Sequence, residues 1–103
     1  MEIKKENING DRVIVSPVGE IDFTNSQELK DSLLDLYEDG YTEITVDFSE
    51  VDSIDSSGLG KLLLFHKKLK EKDSKLNIQN IESEYISNMF EMIHLHKVIE
   101  IVD

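Results

Sequence analysis

Thr42-Glu43-Ile44-Thr45-Val46-Asp47-Phe48 opens the stretch that decides the fold, and Lys75-Leu76-Asn77-Ile78-Gln79 closes it. The first segment alternates strictly, which sets Ile44, Val46 and Phe48 on one side of a strand. The second is another short strand. Between them, apolar residues recur at helical spacing from about Ser57 to Lys72, after a loop from Ser49 to Asp55. A period of two that gives way to one of 3.6 and then returns is the mark of mixed α and β structure.

The same alternation of periods extends in both directions. Upstream, Val13-Ile14-Val15-Ser16-Pro17-Val18 reads as a buried strand, and Asn9-Gly10-Asp11 as the hairpin turn joining it to a polar first strand over 3–8. Pro17 has no backbone donor, so it belongs near a strand end or a bulge. Gly19-Glu20-Ile21-Asp22 then forms a connecting loop. A helix capped by Thr24 or Asn25 runs to Glu38 with Leu29, Leu33, Leu36 and Tyr37 on one face, and Asp39-Gly40 ends it. Downstream, Tyr85, Ile86, Met89, Phe90 and Ile93 give a third helix over 82–93, and 98–102 closes the sheet as a last strand. The order calls for an α/β domain with a mostly parallel or mixed sheet and helices packed on it.

Length and charge narrow the function. The chain has 103 residues, enough for one domain spanning all of it, and a formal charge of −11 from 22 acids and 11 bases. That balance opposes binding to nucleic acid or anionic lipid, both of which need a basic face. It permits a basic or neutral protein partner, reached partly by electrostatic steering. Without cysteine there is no disulfide, thiolate catalysis or Cys-ligated zinc. The apolar runs are too short to span a membrane and the start lacks an apolar signal region, so the expectation is a soluble cytoplasmic protein.

The turn Ser53-Ile54-Asp55-Ser56-Ser57-Gly58-Leu59-Gly60 is the most informative segment. Asp and Ser before a helix are good N-cap residues, worth about 1 kcal/mol, and capping alone would account for them. It does not account for Gly58 and Gly60, since Gly costs a helix about 1 kcal/mol relative to Ala. Glycine admits close approach, either by a packed strand or by a partner's surface. On a helical wheel Leu59, Leu62, Leu63, Phe65, His66 and Leu69 cover the core face. Ser57, Gly60, Lys61, Leu64, Lys67, Lys68 and Glu71 lie opposite. Leu64 is therefore an apolar residue on a polar face, either part of a docking patch or covered by a second layer of structure.

Enzymatic chemistry finds no support in these residues. His66 stands nine residues beyond Ser57, on the other side of the helix and roughly 13 Å along it, too far to act as a base. The G-x-S-x-G elbow, the dinucleotide fingerprint and the phosphate-cradling loop are all missing. His94 and His96 offer two metal ligands without a third. No enzyme activity, metal or cofactor is expected. A serine at a helix start can nevertheless be phosphorylated from outside, adding about −2 charge where a partner sits.

Gly19-Glu20-Ile21-Asp22 and Asp55-Ser56-Ser57-Gly58-Leu59-Gly60, at this spacing and with Met89-Phe90-Glu91-Met92-Ile93-His94-Leu95 near the end, resemble the STAS-domain anti-sigma factor antagonists of bacteria. The resemblance covers nearly the whole chain. It implies a single STAS-like domain with a four- or five-stranded mixed sheet and helices mainly on one side. It implies partner switching: the unphosphorylated protein binds an anti-sigma factor that is a serine kinase and frees the sigma factor. Phosphorylation releases it, and a PP2C-type phosphatase restores it. By motif position Ser56 is the phosphoacceptor, Ser57 takes the family's Ser or Thr position, and Asp22 lies near both. Motif positions and the helical wheel together give the expected partner surface as Asp22, Asp55, Ser57, Gly58, Gly60, Lys61 and Leu64. Lys61 departs from the family's usual aliphatic residue, which leaves open a different protein partner in another signalling pathway. His94 stands where relatives often have Gly; His tolerates a left-handed conformation only moderately, so a different turn is expected there.

Overall fold

Strand register explains the layout. The computed structural model describes residues 1–102. β1 (Glu2–Asn9) and β2 (Arg12–Ile21) form an antiparallel hairpin, and β3 (Glu43–Asp47) and β5 (Lys75–Gln79) extend the sheet in parallel from β2. A final short β6 (Glu100–Val102) pairs with β5, giving the order β1-β2-β3-β5-β6. Successive residues point to opposite faces. Val13 and Val15, Ile44 and Val46, and Leu76 and Ile78 share one face and are buried. Arg12, Glu43 and Lys75 lie side by side on the other face, which is polar.

The helices cover the apolar face. α1 (Ser26–Glu38) contributes Leu29, Leu33 and Leu36 to the core. α2 (Ser56–Lys70) contributes Leu62, Phe65 and Leu69. α3 (Glu84–Met92) contributes Ile86 and Phe90, whose ring meets Phe48 edge-on at 5.7 Å. Leu59 and Leu63, placed on the core face by the wheel, are partly buried and pack against this cluster.

Two segments differ from the sequence reading, and the difference builds the site. The expected loop 49–55 contains a strand, β4 (Val51–Ile54), with Val51 and Ile54 buried. The expected connection 19–22 is the continuation of β2, which leaves β3 after Val15 and pairs in parallel with β4 from Gly19 to Ile21. The change of partner occurs at an irregularity beside Gly19, whose φ of +94° suits glycine. Pro17 falls in the gap between the two parallel pairings, where no ladder bond to β3 or β4 is lost. Among the described residues the sheet thus has six strands, five on one continuous path and β4 beside the end of β2.

Smaller differences lie at the ends of elements. Asn25 holds the N-cap position of α1 without a side-chain capping bond. Gly40 supplies the left-handed turn after α1, with φ +106°. α2 begins at Ser56 and ends at Lys70, and β6 is shorter than 98–102 because Leu95–Lys97 form a 3-10 turn. His94 takes the left-handed conformation itself, at φ 57° and ψ 40°, so the turn keeps the geometry a glycine would give.

Candidate functional site

Pairing of β2 with β4 sets Ile21 next to Ile54, so the loops that follow the two strands leave the sheet side by side. The Asp55 N–H donates to the Ile21 carbonyl at 3.0 Å, which locks the two exits together. The Asp55 carboxylate then serves both. Its Oδ1 accepts from the Gly58 N–H at 2.9 Å and caps α2, and its Oδ2 accepts from the Phe23 N–H at 3.1 Å. One side chain joins two motifs that stand 32 residues apart.

Asp22 orders the other loop. Its Oδ1 accepts from the backbone N–H and the hydroxyl of Thr24, and its carbonyl accepts from the Ser26 N–H. The hydrogen bond from the Thr24 hydroxyl, and then that from its N–H, hold the Asp22 carboxyl below the usual carboxylate range. Asn25 folds back, accepting from the Asp22 N–H at 2.9 Å and donating to the Glu20 carbonyl at 2.8 Å. That is why it does not cap α1.

Between the loop and α2 lies an open groove of about 410 Å³, lined by Phe23, Ser26, Gln27, Ser56, Ser57, Gly60, Lys61 and Leu64. Ser56 is the first residue of α2 and is exposed; Ser57 is half-buried. No hydrogen bond engages either serine side chain among the described residues. Leu64 is 56% exposed, so no second layer among the described residues covers it. Ser56, Ser57, Gly60, Lys61 and Leu64 therefore share one surface. Asp22 and Asp55 stand behind it, engaged in ordering its two walls.

The two glycines separate. A Cβ on Gly60 would meet nothing within 4 Å, whereas one on Gly58 would lie 2.6 Å from Ile21 Cγ2 and 2.9 Å from Ile54 Cγ1. The close approach at Gly58 is made by the packed strands, and the residue is buried. What Gly58 does is let α2 seat on β2 and β4.

The sequence reading missed Phe23, Ser26 and Gln27. Phe23 is 77% exposed on the groove's rim. Its only signal was an aromatic residue directly after Gly-Glu-Ile-Asp in a polar turn. His66 lies on α2 away from the groove lining, half-buried, its basicity lowered by burial and then by Lys70. The His94 and His96 rings meet edge-on at 6.0 Å. Among the described residues, no three His, Cys, Asp or Glu side chains are grouped to hold a metal ion. No described helix is long and apolar enough to cross a membrane.

Comparison with known proteins agrees with this geometry. The family model for the STAS domain matches residues 2–103. The anti-sigma-B factor antagonist of Bacillus subtilis is 30% identical over 97 residues, covering 94% of this chain and 85% of that protein. An anti-sigma factor antagonist from Mycobacterium paratuberculosis superposes with a TM-score of 0.84 at 21% identity, over 98% of this chain and 84% of the other. The Bacillus cell fate determinant SpoIIAA in its phosphorylated form gives 0.75 at 18% identity, over 99% and 92%. These two structural likenesses speak for the fold.

Proposed function

This chain belongs to the STAS domain family, and from that footing we propose that it is an anti-sigma factor antagonist that works by partner switching. Unmodified, it binds an anti-sigma factor that is also a serine kinase, and so frees a sigma factor. The kinase transfers the γ-phosphoryl group of ATP to the Ser56 hydroxyl, leaving ADP, and the phosphorylated chain lets go. A PP2C-type phosphatase hydrolyses the ester and restores it. The chain itself is a binding protein without catalytic chemistry, and the proposal places it in the cytoplasm.

One observation carries this reading: the Ser56 hydroxyl stands exposed and unengaged at the start of α2, on the lip of a groove. A helix start tolerates an anion because its N–H groups and dipole favour negative charge. The same anion would stand where a partner contacts Phe23, Gly60 and Leu64, adding about −2 charge and bulk. The relative from Bacillus subtilis carries the antagonist name, which supports the partner class.

Incubation with the cognate kinase and ATP tests the assignment. Intact mass should show one phosphate on the wild type and none on Ser56→Ala. Equal uptake by the Ala variant would remove Ser56 from the role. Lys61, half-buried on the groove wall, favours a second reading, an interaction module for a different protein in another pathway. Affinity capture that recovers no kinase of the anti-sigma type would favour it.

A further inference from the structure

Charge is distributed unevenly along the chain. Lys61, Lys67, Lys68, Lys70 and Lys72 fall within twelve residues, against the single acid Glu71. That segment carries +4 in a chain of −11, so the remainder carries −15. Of the six basic side chains elsewhere, three are paired among the described residues, Lys4 with Glu50, Arg12 with Glu43 and Lys75 with Glu100, while Lys5, Lys30 and Lys97 stand apart from one another in sequence. Among the described residues none of the five lysines of this segment forms an ion pair, in a protein with twice as many acids as bases. Lys67 and Lys68 follow Leu64 by three and four residues, so they flank that exposed leucine on one helix face, with Gly60 one turn before it. Lysines late in a helix complement its dipole, which accounts for Lys67, Lys68 and Lys70 as a structural feature. The dipole accounts neither for Lys61 near the start nor for a leucine left uncovered among them.

We propose that the outer side of α2 beyond the serine turn, Lys61, Leu64, Lys67 and Lys68, docks on an acidic surface of the anti-sigma factor with an apolar centre that receives Leu64. The proposal rests on the function given above and specifies the chemistry of its partner. Charge complementarity selects the occupant. The net charge of −11 suits a partner that is basic or neutral overall, and an acidic patch on it is met by α2, the densest run of positive charge in a chain whose remainder carries −15. Steering of this kind orients the encounter, so the molecule arrives with Ser56 and the groove facing its partner. Leu64 then supplies the contact that holds after salt has screened the charges.

The test uses the full chain and the purified anti-sigma factor of its own organism, with association and dissociation rates measured at about 0.05 M and 0.5 M salt. Wild type, Lys67→Glu, Lys67→Gln, Leu64→Ala and Ser56→Asp are compared, with Lys5→Glu, on exposed β1, as the control of equal charge change. Lys67→Glu should associate about fivefold or more slowly at low salt and lose most of its salt dependence, with dissociation little changed. Lys67→Gln should fall between it and the wild type, which guards against a folding defect in the reversal. Leu64→Ala should chiefly speed dissociation. Association of Lys67→Glu at the wild-type rate, or slowing by Lys5→Glu as large as by Lys67→Glu, overturns this inference and leaves the function standing. Absence of binding by the unmodified wild type overturns the function and this inference with it.

Discussion

Alanine at Gly58 and at Gly60 should shift stability in opposite directions, although both are glycines two residues apart in one helix. At Gly58 the new methyl would lie 2.6 Å from Ile21 Cγ2 and 2.9 Å from Ile54 Cγ1. Both isoleucines are buried, at 0% and 3% exposure, and β-branched side chains are stiff at χ1, so neither can swing aside. Overpacking of this kind costs about 1–3 kcal/mol. At Gly60 the methyl meets nothing within 4 Å. There the helix gains up to about 1 kcal/mol from replacing glycine. That gain is common to both variants, so their difference isolates the packing cost at Gly58, about 1–3 kcal/mol. For a domain of this size each kcal/mol moves Tm by about 4–8 °C. Gly60→Ala should therefore melt roughly 5–20 °C above Gly58→Ala and slightly above wild type. Thermal and urea melts by circular dichroism, with m-values compared to confirm a common unfolding reaction, measure this directly. Equal stability of the two variants would refute the claim that Gly58 exists for the contact with β2 and β4.

Gly60→Ala should also bind the anti-sigma factor more weakly while being more stable, because its methyl enters the groove; titration calorimetry reads this. Asp55→Ala should cost about 1 kcal/mol through the lost cap, and faster amide exchange at Phe23 should accompany it, since the same carboxylate accepts from that N–H. Leu64→Glu should keep the fold and lose partner binding, whereas Ile44→Asp, which puts a charge at a position of 0% exposure, should unfold the protein; a common loss of the circular dichroism signal would place Leu64 in the core. Asp47 predicts an acid dependence. Burial raises its pKa, but bonds from Ser49, Gln79 and Asn80 outweigh this and leave it below the usual range. A carboxyl depressed in the fold contributes fully above its unfolded value near 3.9, and that contribution is lost as pH falls through the lower folded value. The stability gap between wild type and Asp47→Asn should thus be constant from about pH 7 to 5 and shrink below about pH 4; a gap independent of pH in urea melts would contradict it.

Period carried most of the architecture. Ile44, Val46 and Phe48 alternate, Leu62, Phe65 and Leu69 recur at helical spacing, and all are buried where those periods place them. β4 escaped because Val51-Asp52-Ser53-Ile54 is too short to show a period, and its two apolar ends are in register with nothing until β2 lies beside them. Pro17 and Gly19 read as punctuation, since each breaks regular structure. In the fold they sit at the point where β2 changes partners, and the strand runs on to Ile21. The site was legible as far as one helix could show it. The wheel placed Ser57, Gly60, Lys61 and Leu64 together, and they line one groove. Phe23 was invisible because its position depends on a pairing between strands distant in sequence. Which glycine serves packing and which faces outward was also undecidable from spacing, as it depends on what lies 3 Å away.

The arrangement of acceptors bears on how a phosphoswitch here would act. Asp55 has both carboxylate oxygens engaged, on Gly58 and Phe23, and Asp22 is engaged by Thr24. The Ser56 side chain is exposed and joins no bond that orders either loop. A phosphate at Ser56 would break no existing hydrogen bond, and the neighbouring Asp55 carboxylate would turn it outward. Among the groove's lining residues Lys61 is the one cation. The added charge is then presented to the partner instead of being absorbed by the fold. Stability and binding should accordingly separate: Ser56→Asp, an exposed substitution, should leave stability within about 0.5 kcal/mol while binding is lost. Were the fold to rearrange on phosphorylation, the two would change together, and melting and binding curves on the same preparation distinguish the cases.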